Sequence, residues 1–300
     1  MKPAPFEYHR PGSLDEATAL LAELGDEAKV LAGGQSLVPM LSLRLAYFDH
    51  VVDISRLTEL RGVTAADGYL RVGAGTTETA VGADLDVARA VPLLTRATPL
   101  IGHFQIRNRG TLGGSVAHAD PAGEYPVVAL TLDAEIEAVS AAGGHRVIPA
   151  ADFFTGLWST ALEPDELLVG VRFPVWGARS GFAVEEFARR SGDFAVAGAG
   201  GGVALDADER VARAAIGLLG LGSTPLRASG AEAAAVGQRA DELDAAELGR
   251  LAMSGLEDVP ADLQGSADYR IRVGAAMVAR AWAAASNEAI GQRAAVGARP

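Results

Sequence analysis

Along the stretch LDEATALLAEL, Leu14, Ala17, Leu20, Leu21 and Leu24 recur at the three-and-four spacing of one helix face. Ser13 followed by Glu16 reads as a capping box for that helix, and Gly25 as its stop. KVLAGG then predicts a short buried strand opening into a glycine loop, and HVVDISRL a second strand. Together these elements predict a β-α-β unit over residues 1–57. A second unit, 58–176, starts with the strand YLRVGAG. It continues through a helical stretch from about Glu78 and another ending near Pro99. DAEIEAVS and HRVIPA alternate as a hairpin around Gly143 and Gly144, and ELLVGVRFPV reads as a further strand.

Trp176 to Arg179 reads as a linker. Beyond it GFAVEEFARR, FAVAGAGGGVAL and RAAIGLLGLG predict a three-stranded antiparallel sheet, followed by alanine-rich helices, the clearest from Tyr269. Strands in a block and then helices predict an α+β domain over 177–290, with chain after Ser286 frayed and a tail at 291–300. The fold class expected for the whole chain is α+β. With 36 glycines and an apolar fraction rich in alanine, the helices are expected to pack through small side chains.

Composition narrows the chemistry. The formal net charge is -12 and the arginines lie scattered among acids, so no basic face is available to displace counterions from a nucleic acid. With no cysteine, the chain holds no disulfide, thiolate zinc site, cysteine-ligated iron–sulfur cluster or cysteine nucleophile. The five histidines (His9, His50, His103, His118 and His145) show no metal-ligand spacing in sequence, and a structural role is expected for each. No segment reads as a membrane span or signal peptide, and a cytoplasmic location is expected.

Two stretches stand apart from this ordinary patterning: LAGGQSLVP, Leu31 to Pro39, and RGTLGGSVAHADPAGEYP, Arg109 to Pro126. Consecutive glycines let backbone N–H groups approach a ligand, and several such amides form an anion-binding concavity. Ser36 and Ser115 each add a hydroxyl. The second stretch lacks the apolar periodicity of a core element, and Pro126 is expected to stop anything helical. The plain alternative is a tight turn between strands in each case. GGQSLV is not a nucleophile elbow, because Val38 stands where glycine is required, and no phosphate-binding P-loop occurs. AGAGGGVAL lacks dinucleotide-fold spacing and reads as a glycine-rich strand.

LAGGQSLVPMLSLRLA together with IGHFQIRNRGTLGGSVAHADPAGEYP resembles the FAD-binding medium subunit of the molybdenum hydroxylases, the family of aerobic carbon monoxide dehydrogenase and xanthine dehydrogenase. FEYHRPGSLDEATALL, DELLVGVRFPV, FARRSGDFAVAGAG and GLGSTPLRA extend the resemblance over nearly the whole chain. It implies a two-part FAD-binding region of the vanillyl-alcohol-oxidase type and then an α+β C-terminal domain. Ala32, Gly33, Gly34, Gln35 and Ser36 would bind FAD through the backbone. Thr111, Leu112, Gly113, Gly114 and Ser115 would close on it from the other side; many relatives carry Asn at that last position, so Ser115 is a departure. Glu124 would accept hydrogen bonds from the cofactor, with Asp120 the neighbouring candidate. Ile101 and Leu167 would be apolar contacts. RRSGDF would approach the flavin ring, with Phe194 in place of an expected tyrosine.

The resemblance also implies partners: a small subunit with two [2Fe-2S] clusters and a large molybdopterin subunit, as a dimer of heterotrimers. The chain would then be an electron-transferring subunit with no catalytic acid or base of its own, and the holoenzyme's substrate stays open. A stand-alone FAD-dependent oxidoreductase and an assembly subunit that has lost FAD are the alternatives.

Overall fold

The computed structural model describes residues 2–297. The chain opens with β1 (Glu7–His9), α1 (Leu14–Leu24) and β2 (Ala28–Leu31). The Ser13 side chain accepts from the Glu16 amide, the Glu16 carboxylate accepts from Gly12, and Gly25 ends α1 at φ +53. This is the expected cap, with the reciprocal bond moved one residue outward. After α2 (Leu37–Ser42) comes β3 (His50–Asp53), which lies parallel between β1 and β2 in a three-stranded sheet.

The second sheet begins with β4 (Val63–Ala66) and β5 (Tyr69–Gly73). The chain then crosses the short helices α3 (Glu78–Ala83), α4 (Leu85–Ala90), α5 (Pro92–Ala97), α6 (Phe104–Arg107) and α7 (Leu112–His118), and reaches α8 (Glu124–Thr131). It returns as the hairpin β6 (Glu135–Val139) and β7 (His145–Pro149). A single turn, α9 (Ala150–Phe153), leads to the small hairpin β8 (Phe154–Gly156) and β9 (Ser159–Thr160), and then to β10 (Leu167–Pro174). The sheet order is β4-β5-β10-β6-β7, all antiparallel. The core beneath the β1–β3 sheet gathers Ala17, Leu21, Val52, Ile54, Leu57 and Leu60 with Leu167 and Val169 of β10.

Two expectations fail in this half. The second glycine stretch is largely helical: α7 starts at Leu112, and Leu112, Gly113 and Val116 are buried. Pro126 also stops nothing. It stands in the first turn of α8, where its missing N–H has no intrahelical acceptor to lose, and all eight residues of that helix are buried.

The C-terminal sheet comprises β11 (Ser180–Phe187), β12 (Ala197–Leu205), β13 (Val211–Leu219) and β14 (Leu226–Arg227) in that order, antiparallel. The expected three strands are present. The fourth has two residues, too few for any periodicity to announce. The glycine-rich run is indeed a strand, β12. Before the sheet, Trp176 is buried, edge-on to Phe182 and under the Arg213 guanidinium, so the expected linker is an anchored corner.

After α10 (Ser229–Ala235) and α11 (Ala245–Ala252), α12 (Ala267–Gly297) packs along the sheet. A Cβ on Gly181 would lie 1.9 Å from the Ala285 carbonyl oxygen, so the helix rests directly on strand backbone, the small-residue packing that the composition implied. The expected fraying does not begin at Ser286: the chain directly after it stays in α12 and packed. Ala285 and Ala289 are buried, and Glu288 forms a two-pronged pair with Arg96 while accepting from the Phe182 amide at 2.8 Å. The last three residues of the expected tail lie outside the described residues. No described helix is long and apolar enough to cross a membrane.

Candidate functional site

The chain leaves β2 at Leu31 and enters α2 at Leu37, and Ala32 to Ser36 form the connection. Gly34 sits at φ +76, a conformation that glycine adopts without strain. Val38 donates back to the Gly34 carbonyl at 3.1 Å and the Gln35 side chain to the Gly33 carbonyl at 3.1 Å, which fixes the turn. Among the described residues, no backbone acceptor meets the amides of Gly33, Gly34, Gln35 or Ser36. Ser36 stands at the helix start without capping it, so its hydroxyl is also uncommitted. Four free amides and a hydroxyl on one turn suit an anion.

The second loop is built differently. Its amides are already used: Leu112 donates to Thr76 at 3.0 Å, Gly113 to Ala74 at 2.9 Å, Gly114 to the Thr111 hydroxyl at 3.1 Å and Ser115 to the Thr111 carbonyl at 3.0 Å. A Cβ on Gly113 would fall 2.4 Å from that of Ala74. What this segment offers a ligand is therefore the hydroxyl protons of Thr111 and Ser115 and a rigid wall.

The two loops meet, although their glycines are some 80 residues apart. A Cβ on Gly33 would lie 2.2 Å from the Arg109 carbonyl oxygen and 2.8 Å from the Gly110 Cα, and one on Gly114 would lie 3.5 Å from the Ala32 Cβ. Backbone thus touches backbone at the junction. Beside it opens a cleft of about 390 Å³ lined by Leu31 to Gln35, Val38, Pro39, Asp53 and Arg109. Asp53 and Arg109 were not anticipated. Asp53 accepts from the Tyr8 hydroxyl and the Ser55 amide, with Arg10 at 3.8 Å. Burial works against its charge, but these bonds hold its carboxyl below the usual carboxylate range.

Glu124 opens α8 and is buried. Burial foremost, then the nearby charge of Glu186, pushes its carboxyl up to about 8; Glu78 and Asp120 add to the rise. Burial likewise pushes Glu78 to about 7, against the pull of Arg107, and Glu186 to about 7. Glu78 and Glu186 each keep one buried oxygen without a hydrogen-bond partner among the described residues. Neither was singled out in the sequence, where both sit in unremarkable polar runs. Such carboxyls are acceptors suited to ligand hydroxyls. Asp120, the alternative to Glu124, is committed elsewhere: it accepts from the Ala122 amide at 2.9 Å and the Trp158 indole at 3.2 Å, with His118 at 3.9 Å stacked on Trp158.

Ile101 lies at the edge of the core, and its carbonyl accepts from Arg107 at 2.8 Å. Leu167 is buried in the cluster against which Ala32 packs. Phe194 is more than half exposed, in the turn between β11 and β12. Gly192 of that turn comes against the Gly102–His103 backbone and ring; a Cβ there would fall 2.7 Å from His103 Cε1. The RRSGDF segment therefore does reach the turn that carries Ile101.

Comparison with known proteins gives this geometry a family. Residues 4–176 match the FAD binding domain in molybdopterin dehydrogenase, and residues 182–285 the CO dehydrogenase flavoprotein C-terminal domain. The chain is 41% identical to the 6-hydroxypseudooxynicotine dehydrogenase complex subunit alpha of Paenarthrobacter nicotinovorans, over 96% of this chain and 97% of that one. It is 38% identical to the carbon monoxide dehydrogenase medium chain of Hydrogenophaga pseudoflava, over 95% and 98%. Among solved structures, a carbon monoxide dehydrogenase from Hydrogenophaga pseudoflava lacking the Mo-pyranopterin moiety superposes with a TM-score of 0.91 at 39% identity, covering 95% of this chain and 98% of that one. Quinoline 2-oxidoreductase from Pseudomonas putida 86 superposes with a TM-score of 0.90 at 37% identity, over 97% and 100%. Free amides for a diphosphate and buried carboxyls for hydroxyls suit FAD, and the chain belongs to the FAD-binding medium subunits of the molybdenum hydroxylases.

Proposed function

We propose that this chain carries FAD between the two glycine loops, receives electrons from [2Fe-2S] clusters of a small partner subunit, and passes them to an external acceptor. A large molybdopterin subunit would oxidise the organic substrate, the whole assembling as a dimer of heterotrimers. The observation that carries the FAD reading is the backbone contact of Gly33 with Arg109 and Gly110, which sets the free amides of one loop beside the hydroxyls of the other. When bound, the flavin supplies the redox chemistry.

The residues divide the work of holding it. Gly33, Gly34, Gln35 and Ser36 would donate to the diphosphate, and the hydroxyls of Thr111 and Ser115 would close on it. Glu124 would accept hydrogen bonds from hydroxyls of the cofactor, with Glu78 and Glu186 close enough to raise its proton affinity. Ile101, Leu167 and Phe194 are proposed as apolar neighbours, Phe194 as an aromatic cover without the hydroxyl of a tyrosine. Partner-held clusters accord with a chain that has no cysteine.

The visible absorption spectrum of the purified chain, with its extracted cofactor identified, tests the binding reading: about one FAD per chain is expected, and none after reconstitution would overturn it. Gly114→Val sets methyl groups against the Thr111 hydroxyl, 2.8 Å from the new Cβ. It is expected to strip FAD while leaving the circular dichroism spectrum unchanged; retention of FAD would refute the loop assignment. Purification from the native source is expected to bring iron and molybdenum with the flavin. A lone flavoprotein oxidising a small molecule unaided would favour the stand-alone oxidoreductase.

A further inference from the structure

Away from the glycine loops, strand register gathers three metal-ligating side chains. β1 and β3 run parallel with Glu7 opposite His50 and His9 opposite Val52. Side chains alternate along a strand, so Glu7 and His9 share a face with His50, while Tyr8 and Arg10 turn to the other face and engage Asp53 there. On the first face, His9 Nε2 lies 3.0 Å from His50 Nδ1, and Glu7 Oε2 lies 3.5 Å from the same nitrogen. One ligand atom from each residue falls within 4.8 Å of the other two. Sequence spacing hides this group, because His9 and His50 are 41 positions apart.

We propose that Glu7, His9 and His50 form a binding site for a borderline first-row divalent cation, zinc foremost, bridging the N-terminal strand to β3. Two imidazole nitrogens and one carboxylate oxygen are a donor set that suits zinc, nickel or copper and disfavours magnesium. Ligands held about 2.0–2.1 Å from a zinc ion stand roughly 3.3 Å apart at the corners of a tetrahedron. The 3.0 and 3.5 Å separations straddle that value, and the third, between Glu7 and His9, is within 4.8 Å, so rotation of the exposed Glu7 side chain completes the arrangement.

Without a cation, one imidazole donates its N–H to the other. With one, both facing nitrogens present lone pairs, and the donor ring carries its proton on its outer nitrogen, so the two neutral rings release none. Glu7 is exposed, and among the described residues no lysine or arginine pairs with it, so its charge is available to the cation. The half-buried histidines leave the remaining coordination positions to water.

Calorimetric titration of the tag-free, flavin-loaded full chain with zinc chloride, and in parallel with magnesium chloride, tests the site. One saturable zinc ion in the micromolar range is expected, with no comparable magnesium signal. His9→Gln, His50→Gln and Glu7→Gln should each weaken zinc binding about tenfold or more, since even residues behind a ligand contribute that much elsewhere. The visible spectrum should keep its flavin bands in all three. Nitrogen chemical shifts of the histidine rings in the unaltered chain provide a readout independent of folding: zinc should move His9 Nε2 and His50 Nδ1 selectively. No saturable zinc binding, wild-type affinity in the histidine variants, or unmoved ring nitrogens would each overturn the proposal.

Discussion

At the scale of single residues, the buried carboxyls carry the sharpest consequences. Glu124 has its proton affinity raised to about 8, against roughly 4.3 for a free side chain. Between those values the folded chain without flavin binds more protons than the unfolded chain, so its stability falls as pH rises through that window. Glu124→Gln removes one such group and should flatten the slope by up to about 1.4 kcal/mol per pH unit, read from urea midpoints at pH 5, 6, 7 and 8. An unchanged slope would mean that Glu124 is not buried as its position indicates. The same variant keeps an acceptor and should keep FAD, whereas Glu124→Leu should weaken FAD about tenfold, the loss of one hydrogen bond of about 1.4 kcal/mol. Glu124 was singled out in the sequence only through the family resemblance of its segment, and its burial was not foreseen. Glu78 and Glu186 were not, because a carboxylate in a short polar run reads as solvated until the backbone folds around it.

At the scale of elements, periodicity served long segments well and short ones poorly. The face of α1, the hairpin around Gly143 and Gly144, and the strands β10 to β13 follow from spacing alone. The two-residue β14 and the helical character of the second glycine stretch do not, since the start of α7 is set by Leu112 and Gly113 donating to Thr76 and Ala74, just beyond β5, rather than by local pattern. The end of α12 escaped for a similar reason. Its last buried turn is alanine-rich and weakly amphipathic, and it is held by Glu288 reaching Arg96 and Phe182, 192 and 106 positions away. Truncation before Asn287 should therefore lower the melting temperature although it removes only the end of the chain. Glu288→Ala alone should cost about 1 kcal/mol, modest because Arg96 is partly solvated. Equal unfolding midpoints for the truncated and complete chains would contradict this account of the helix end.

At the scale of the whole molecule, the two glycine loops belong to different sheets, so a ligand bound at their junction holds both. FAD at 100 times its Kd should stabilise the fold by about 2.7 kcal/mol, roughly a 5 °C rise in melting temperature. FMN, which lacks the diphosphate and adenosine, should give little rise at the same concentration; equal shifts would mean that the loops do not read the diphosphate. The shared core has a further consequence during synthesis. The first sheet and its helix are complete by residue 57, but their buried cluster includes Leu167 and Val169. Those residues leave the ribosome about 110 positions later, on the order of ten seconds at ordinary elongation rates. Until then the apolar underside of the β1–β3 sheet lacks its closing strand. The nascent chain consequently presents a sticky, half-finished surface for that interval, a window in which chaperone occupancy would be greatest.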